Sequence, residues 1–260
     1  MHRRSYLSAA GAAGVAAFAG CLGGSPSRSG VAVETVVEGL THPWGLAVGG
    51  PTDALFVTER DPGRLRRVDT EAGTTTQIDG VPAVDAAGQG GLLDVTWGPD
   101  EMWMYLTYAI ANDAGETTTR LGRGQLANDD QLTDFEVLYT AEPYVDSNGH
   151  YGSRVAFGPD DYLYMTVGDR QFKDFGPRHV AQDRSNDLGT TLRLEADGSI
   201  PADNPFVDED DARDGIYSYG HRNAQGLDVN PETGAIWESE FGESDGDEIN
   251  RINGGGNYGW

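Results

Sequence analysis

The chain has almost no lysine and only one cysteine, and each shortage argues against a class of protein. Lys173 is the single lysine among 260 residues, against 42 acidic residues, and the formal net charge is −24. Because phosphate binding needs clustered Lys and Arg, this balance argues against nucleic acid as a partner. The single cysteine, Cys21, has no partner within the chain, so the sequence argues against a fold held together by internal disulfides. Abundant Asp and Glu keep a protein hydrated in concentrated salt, so we expect a halophilic source, with an acidic secreted protein as the alternative.

The sequence also lacks helical periodicity. No clear 3.6-residue repeat of apolar side chains follows the first twenty residues, whereas the sequence holds 37 glycines and 12 prolines. Turn-forming residues at this density between short apolar runs predict strands. The length is enough to bury a sizeable core, either as two ordinary domains or as one large all-β domain.

The first 32 residues predict export. The pair Arg3-Arg4 begins a twin-arginine pattern, and a run of small apolar residues then leads to Cys21 in a lipoprotein cleavage box. We therefore predict a twin-arginine lipoprotein signal over 1–20 and a flexible Gly/Ser tether over 21–32. The protein is expected at the extracytoplasmic face of the cell membrane, held there only by a lipid on Cys21.

From residue 33 onward the sequence repeats one design four times. Each copy has a short apolar strand, a turn with a proline, and a second strand rich in aromatic and β-branched residues; the turn prolines are Pro51, Pro99, Pro159 and Pro231. A further strand-like piece follows each copy, at 64–68, 135–139, 191–194 and 248–252. Recurring antiparallel sheets of about four strands are typical of a β-propeller, and a β-sandwich is the alternative.

We therefore predict an all-β fold, a partial β-propeller of four-stranded antiparallel blades over 33–260, with about four blades present. Propellers need closure to remove the exposed edges of their sheets. No strand that could close the ring is visible up to Trp260, and we expect the sequence to be a fragment of a longer chain.

Four loops at the same phase of the repeat carry polar or charged residues, at 42–44, 88–91, 148–150 and 221–223. The repeat should bring these loops to one face of the propeller, where a site is expected. A neutral imidazole at His150 can accept a proton near neutral pH, and Arg222 supplies a fixed cation with a rigid fork of donors. Structural roles, a packed histidine and an ion-paired arginine, are the alternatives for both.

The segment 240–248 alternates carboxylates with glycines. Calcium takes such hard oxygen donors and backbone carbonyls, although the spacing does not match an EF-hand. In a chain this acidic, a solvated surface loop explains the pattern equally well.

Several motifs together resemble a known family, the soluble quinoprotein aldose sugar and glucose/sorbosone dehydrogenases. The motifs that carry the resemblance are Gly88–Asp94, His150–Arg154, Phe157–Asp160, Val167–Asp169, Gly198–Phe206, Gly220–Gly226 and Asn257–Trp260. The resemblance covers about 33–260. It implies a six-bladed propeller that binds pyrroloquinoline quinone (PQQ) and Ca²⁺ and oxidises aldoses at C1 to lactones.

The resemblance also implies roles in catalysis and cofactor binding. His150 matches the general base that takes the proton of the C1 hydroxyl as hydride passes to the quinone. Arg222 and Asn223 match residues that contact the quinone, with the arginine stabilising negative charge on the reduced cofactor. Gln89 matches a residue of the same cofactor cavity, beside the substrate and the base.

Metal ligands are implied in the same way. Gly242 and Glu243 match positions whose backbone carbonyls bind the calcium that bridges to the cofactor, and Glu248 and Tyr258 match a second calcium site. The sequence departs from the family at Glu243, where a proline is common. It also departs at Gly149, where some glucose-oxidising members have an aspartate beside the base, which implies a broader set of aldoses.

Two other functions stay open at this point. A calcium-dependent propeller lactonase needs acidic and Asn side chains converging on a central metal, and the residues expected at the centre here are different. A non-catalytic sugar-binding propeller at the cell surface keeps the fold and the calcium but has no turnover. The partner expected for the dehydrogenase is an aldose sugar, together with an external electron acceptor that the sequence does not identify.

Overall fold

The structure is a computed structural model that describes residues 32–50, 54–127 and 130–260. The predicted signal, Cys21, nearly all of the tether and Pro51 lie outside the described residues. Val36–Trp260 form one compact unit, and residues 32–35, which belong to a separate N-terminal unit, have no regular secondary structure. None of the helices in the described part is long and apolar enough to cross a membrane.

The described residues form fifteen strands in four antiparallel sheets, each with its strands in chain order. We call these sheets blades one to four. Blade one contains β1 (Pro43–Gly49), β2 (Ala54–Glu59), β3 (Arg64–Asp69) and β4 (Thr74–Ile78); blade two contains β5 (Leu92–Trp97), β6 (Trp103–Ala111), β7 (Thr117–Leu126) and β8 (Leu132–Thr140); blade three contains β9 (Val155–Phe157), β10 (Leu163–Val167), β11 (Thr190–Leu194) and β12 (Ile216–Tyr219); blade four contains β13 (Ala224–Val229), β14 (Ile236–Glu240) and β15 (Glu248–Ile252). A short 3₁₀ helix spans Val180–Gln182.

The all-β propeller arrangement with four blades is confirmed, and the four predicted strand pairs are the first two strands of each blade. Blade two differs in detail. The predicted piece at 135–139 lies in the fourth strand, and β7 pairs between it and β6. The sequence TTTRLGRGQL of β7 is too polar to read as a strand, yet Thr117, Thr118 and Thr119 are buried because their hydroxyls bond to backbone carbonyls.

Buried threonines tie the inner strands of neighbouring blades together. Thr58, Thr107 and Thr166 occupy equivalent places in the second strands of blades one to three. Each hydroxyl accepts a backbone N–H from its own inner strand or from the residue just before it, at 2.7 to 3.0 Å, and donates to a backbone carbonyl in or beside the inner strand of the next blade, at 2.6 to 2.8 Å. Because buried polar groups need partners, these bonds fix the inner strands and the loops that precede them.

Apolar side chains fill the spaces between blades. Phe56 meets Trp97 edge to face between blades one and two, and Tyr105 meets Phe157 in the same way between blades two and three. Ile236 packs with Tyr164 between blades three and four. This face-to-face packing of sheets is what makes the propeller rigid.

Arg154 joins the inner strands near the centre. Its guanidinium donates to the Trp44 carbonyl of blade one, to the Asp94 carboxylate of blade two and to the Gln225 carbonyl of blade four. Burial raises the pKa of Asp94, and the charge of Arg154 opposes that rise. The inner strands are therefore held by both packing and charge.

Candidate functional site

The loops of blades two, three and four meet at one end of the inner strands. The Gln89 backbone N–H donates to the Asn148 carbonyl at 2.7 Å, which joins the loop before β5 to the loop before β9. The Asp169 N–H donates to the Arg222 carbonyl at 2.7 Å, which joins blade three to the loop before β13. The loop of blade one does not take part through His42, whose side chain is 60% exposed.

His150 is buried and fixed at both its backbone and its ring. Its φ of 47° lies in the left-handed region, which costs free energy for a residue with a side chain. The backbone N–H donates to Gln89 Oε1 at 2.8 Å, and Nδ1 lies 2.6 Å from Asp169 Oδ1. An ionised carboxylate can only accept, so Nδ1 is the donor in this hydrogen bond, and in a neutral imidazole ring Nε2 then carries the lone pair. Nε2 has no hydrogen-bond partner among the described residues.

Asp169 is a further candidate functional residue, and its contact with His150 was not predicted from the sequence. Its Oδ1 accepts from His150 Nδ1 and from the Gln171 N–H, and its Oδ2 accepts from Trp260 Nε1 at 2.7 Å. The approach depends on Gly168, since a Cβ there would lie 2.1 Å from the His150 carbonyl oxygen. A Gly-Asp pair directly after a buried strand was the available signal for this role.

Arg222 is 8% exposed and lies beside Trp260, with its Cζ 5.3 Å from the ring centroid. Its guanidinium donates to the Phe241 carbonyl at 3.0 Å and pairs with the Glu243 carboxylate. Its Nε is buried and has no partner among the described residues. An unpaired donor on a buried guanidinium is costly unless a further acceptor is bound.

A buried ionic cluster lies behind Arg222. His221 Nδ1 lies 3.1 Å from Glu240 and 3.7 Å from Glu238, while its Nε2 bonds to Ser218 Oγ at 2.9 Å. Burial lowers the pKa of His221, but the two carboxylates outweigh burial and raise it above its ordinary value. Glu240 also accepts the backbone N–H of Arg222 at 2.7 Å. The cluster therefore holds the start of β13 in place.

The amides of Gln89 and Asn223 hold the His150 loop through their oxygens. Gln89 Oε1 accepts the His150 N–H, and Asn223 Oδ1 accepts the Gly152 N–H at 3.2 Å. The NH₂ group of each amide has no partner in the described part of the chain. Hydrogen bonds thus link the loops of His150, Arg222, Gln89 and Asn223 into one assembly, whereas the loop at 42–44, the fourth of the predicted set, does not join it through His42.

The predicted metal-binding residues lie around a cavity of about 300 Å³, which Arg222 and Trp260 also line. Gly242, Glu248 and Tyr258 line this cavity, and Glu243 lies next to it through its ion pair with Arg222. No described residue donates a hydrogen bond to the carbonyl oxygens of Gly242 or Glu243. Within the described ranges, no group of three or more His, Cys, Asp or Glu side chains is arranged to hold a metal ion, so a cation here depends on backbone carbonyls.

Comparisons with known sequences and structures point to the same family. The family model for glucose/sorbosone dehydrogenase matches residues 40–260. The aldose sugar dehydrogenase of Escherichia coli (strain K12) is 37% identical over 264 residues, which cover 100% of this chain and 68% of that protein.

Two solved structures match this chain over most of its length. A crystal structure of a glucose dehydrogenase matches with a TM-score of 0.82 and 40% identity, over 87% of this chain and 65% of that chain. The PQQ-bound form of the aldose sugar dehydrogenase from Streptomyces coelicolor matches with a TM-score of 0.76 and 34% identity, over 88% of this chain and 65% of that chain. This chain therefore spans about two thirds of the length of each of these relatives.

Proposed function

The chain belongs to the glucose/sorbosone dehydrogenase family, and we propose that it is a quinoprotein oxidoreductase that oxidises aldose sugars at C1 to lactones. One observation carries this proposal. His150 is oriented by Asp169 through Nδ1, presents an unpartnered Nε2, and lies in the same hydrogen-bonded assembly as the buried cation Arg222. A base and a fixed positive charge together suit the removal of a proton and a hydride from one carbon–oxygen bond.

His150 acts as the base in this proposal. Its Nε2 takes the proton of the C1 hydroxyl, and the imidazolium that forms is stabilised by the Asp169 carboxylate at 2.6 Å. Gln89 holds the backbone of His150 while its own NH₂ group stays free for a sugar oxygen. The loss of two hydrogens from C1 and its hydroxyl converts a cyclic aldose to its lactone.

The residues present fit PQQ, which is the cofactor named for the relative from Streptomyces coelicolor. The unpartnered Nε of Arg222 and the free NH₂ group of Asn223 are donors for an anionic quinone, and Trp260 offers an aromatic face beside the guanidinium. When bound, PQQ supplies the acceptor for the hydride that leaves C1. Arg222 then stabilises negative charge that develops on the acceptor.

Calcium is part of the proposal. The unengaged carbonyl oxygens of Gly242 and Glu243 are ligands that Ca²⁺ accepts, and they belong to the loop that contacts the Arg222 side chain through the Phe241 carbonyl and the Glu243 carboxylate. Glu248 and Tyr258 are proposed for a second calcium ion. Chelation followed by equilibrium dialysis with ⁴⁵Ca²⁺ tests both sites, and the Glu248→Gln variant is expected to lose one of two bound ions.

Reconstitution tests the activity directly. The protein is loaded with PQQ and Ca²⁺ in high salt, and reduction of an artificial electron-accepting dye is followed with a panel of aldoses. His150→Ala is expected to retain bound quinone and to lose about 10²–10⁴-fold in turnover, the contribution of a positioned base. Bound quinone with no dye reduction by any sugar contradicts the dehydrogenase and leaves a non-catalytic sugar-binding protein; release of acid from lactones without dye reduction identifies a lactonase.

We also propose that the protein is exported by the twin-arginine route and anchored by a lipid on Cys21. Replacing Cys21 with serine should move the protein from the membrane fraction to the medium. A membrane-bound C21S variant contradicts the anchor.

The acidic composition further predicts that the free energy of unfolding rises with salt concentration, because salt screens the repulsion between carboxylates.

A further inference from the structure

The amide of Gln171 occupies the space beside the residue that precedes the proposed base. A Cβ built on Gly149 would lie 2.4 Å from the amide carbon of Gln171 and 2.6 Å from both its oxygen and its nitrogen. Such distances mean that no side chain fits at position 149 while the amide stays where it is. The absence of a side chain on Gly149 therefore makes room for Gln171.

The backbone of Gln171 is fixed relative to the base. Its φ of 65° lies in the left-handed region, and its N–H donates to Asp169 Oδ1 at 2.9 Å. The same oxygen lies 2.6 Å from His150 Nδ1. One carboxylate oxygen thus sets both the direction of the imidazole and the start of the Gln171 side chain.

The Gln171 amide itself is not engaged. No other side chain or backbone group of the described residues forms a hydrogen bond with it, and it lines an open cavity of about 630 Å³. Asp85, Asp146 and Asn148 line the same cavity. A carboxamide carries donors and an acceptor on adjacent atoms, and a few such polar groups in a cavity of this size fix the orientation of a ligand. Hydroxyl groups, which also donate and accept, are the ligands that this lining fits.

We propose that Gln171 determines sugar specificity by binding a hydroxyl on the carbon next to the reacting C1. This inference rests on the proposed function, because the amide is placed next to Gly149 and the base is placed on His150. In a sugar whose C1 hydroxyl reaches His150, the nearest other hydroxyl is the one on C2, the carbon bonded to C1. The protein should therefore favour aldoses that carry the C2 hydroxyl over their 2-deoxy counterparts.

Steady-state kinetics with D-glucose and 2-deoxy-D-glucose test the inference on the quinone-loaded protein. The unaltered protein is expected to favour glucose in kcat/KM by about tenfold, which is the size of one solvent-accessible hydrogen bond. Gln171→Ala should lower kcat/KM for glucose to the value for 2-deoxyglucose, which itself stays unchanged. Gln77→Ala, which removes a glutamine from β4 of blade one, is the matched control and should keep the preference.

Gly149→Ala gives the same test by a different route. The φ of Gly149 is not in the left-handed region, so alanine is tolerated by the backbone, and its Cβ displaces the amide. The preference for glucose should fall as it does in Gln171→Ala. Binding of PQQ, measured by the absorbance of the bound cofactor, should stay normal in both variants.

The outcomes separate this inference from the proposed function. Turnover of both sugars by Gln171→Ala with an unchanged ratio of kcat/KM overturns the role of Gln171 and leaves the dehydrogenase intact. An equal fall for both sugars also overturns it, because a merely structural role predicts that result. Failure of the unaltered, quinone-loaded protein to oxidise any aldose overturns the proposed function and this inference with it.

Discussion

Blades three and four each carry a histidine before the inner strand and a carboxylate 19 residues later, yet the two histidines differ in their hydrogen bonds. His150 contacts Asp169 through Nδ1 and has an unpartnered Nε2 within the described structure. His221 contacts Glu240 through Nδ1, and its Nε2 bonds to Ser218 Oγ. A histidine with both nitrogens engaged cannot take a proton from a substrate, whereas one with a free lone pair can.

Blade one shows that the spacing alone is not enough. His42 and Asp61 have the same separation in sequence, but their side chains are 60% and 53% exposed and their closest atoms are 3.8 Å apart. Exposed pairs of this kind contribute little to stability. The repeat therefore offers three His–carboxylate pairs, and burial together with the partner of Nε2 distinguishes the one proposed as the base.

The largest expected effect comes from altering the carboxylate in blade three. Asp169→Asn should lower turnover by about 10²–10⁴-fold, because an amide can donate to Nδ1 and so move the ring proton to Nε2. Dye reduction at saturating sugar measures the effect, with PQQ binding as the check on folding. Asp61→Asn is the matched control and should turn over normally. A rate near normal for D169N removes the functional contrast between blades three and four.

The second-largest expected effect is a loss of stability caused by a substitution in blade four. His221→Gln leaves Glu238 and Glu240 buried without a cation between them, and the free energy of unfolding should fall by about 3–5 kcal/mol. Urea unfolding at fixed salt concentration measures this loss. The same substitution at His150 should change stability much less. Equal losses at the two positions mean that both pairs are structural.

A smaller effect is expected at the indole that supports Asp169. Trp260→Phe removes the donor at 2.7 Å from Asp169 Oδ2 and leaves His150 in place. Turnover should fall about tenfold, since one hydrogen bond to a charged group contributes about 1.5–3 kcal/mol and part of that loss affects the orientation of the base. Trp237→Phe, at an exposed tryptophan of β14, controls for the loss of an indole. Unchanged turnover in W260F shows that Asp169 is fixed without it.

The smallest effect is expected in blade one. His42→Gln should leave turnover unchanged and should change the free energy of unfolding by no more than about 0.5 kcal/mol, because the pair is exposed. Dye reduction measures the turnover and urea unfolding measures the stability. A clear loss of turnover places the blade-one loop in the site and contradicts its separation from the other three loops.

Much of the fold was predictable because its signals are local. Short apolar strands, turn prolines and a recurring second strand rich in aromatic and β-branched residues identified the first two strands of all four blades. The strand β7 was missed, since its three threonines are buried through hydroxyl-to-carbonyl bonds across the structure that no local pattern shows. The threonines that link blades were visible in the sequence, but their role depends on contacts 35, 46 and 58 residues away.

The site was predicted in part for the same reason. The phase of the repeat placed His150, Arg222, Gln89 and Asn223 together, and the structure brings them into one assembly. Asp169 and Trp260 were not assigned, because their hydrogen bond joins residues 91 apart in the chain. Nor does any sequence pattern show that the Gln171 amide lies against Gly149, since that contact depends on how the two segments fold against each other.

The scarcity of lysine makes the edge of this site chemically addressable. Lys173, the single lysine of the sequence, is 65% exposed and pairs with Glu243 at 2.7 Å, and Glu243 also pairs with Arg222. Amine-reactive reagents can therefore modify only one side chain of this chain, and that side chain shares a carboxylate with the proposed quinone-binding arginine. A fluorophore attached there reports on changes at Arg222 without any engineered cysteine.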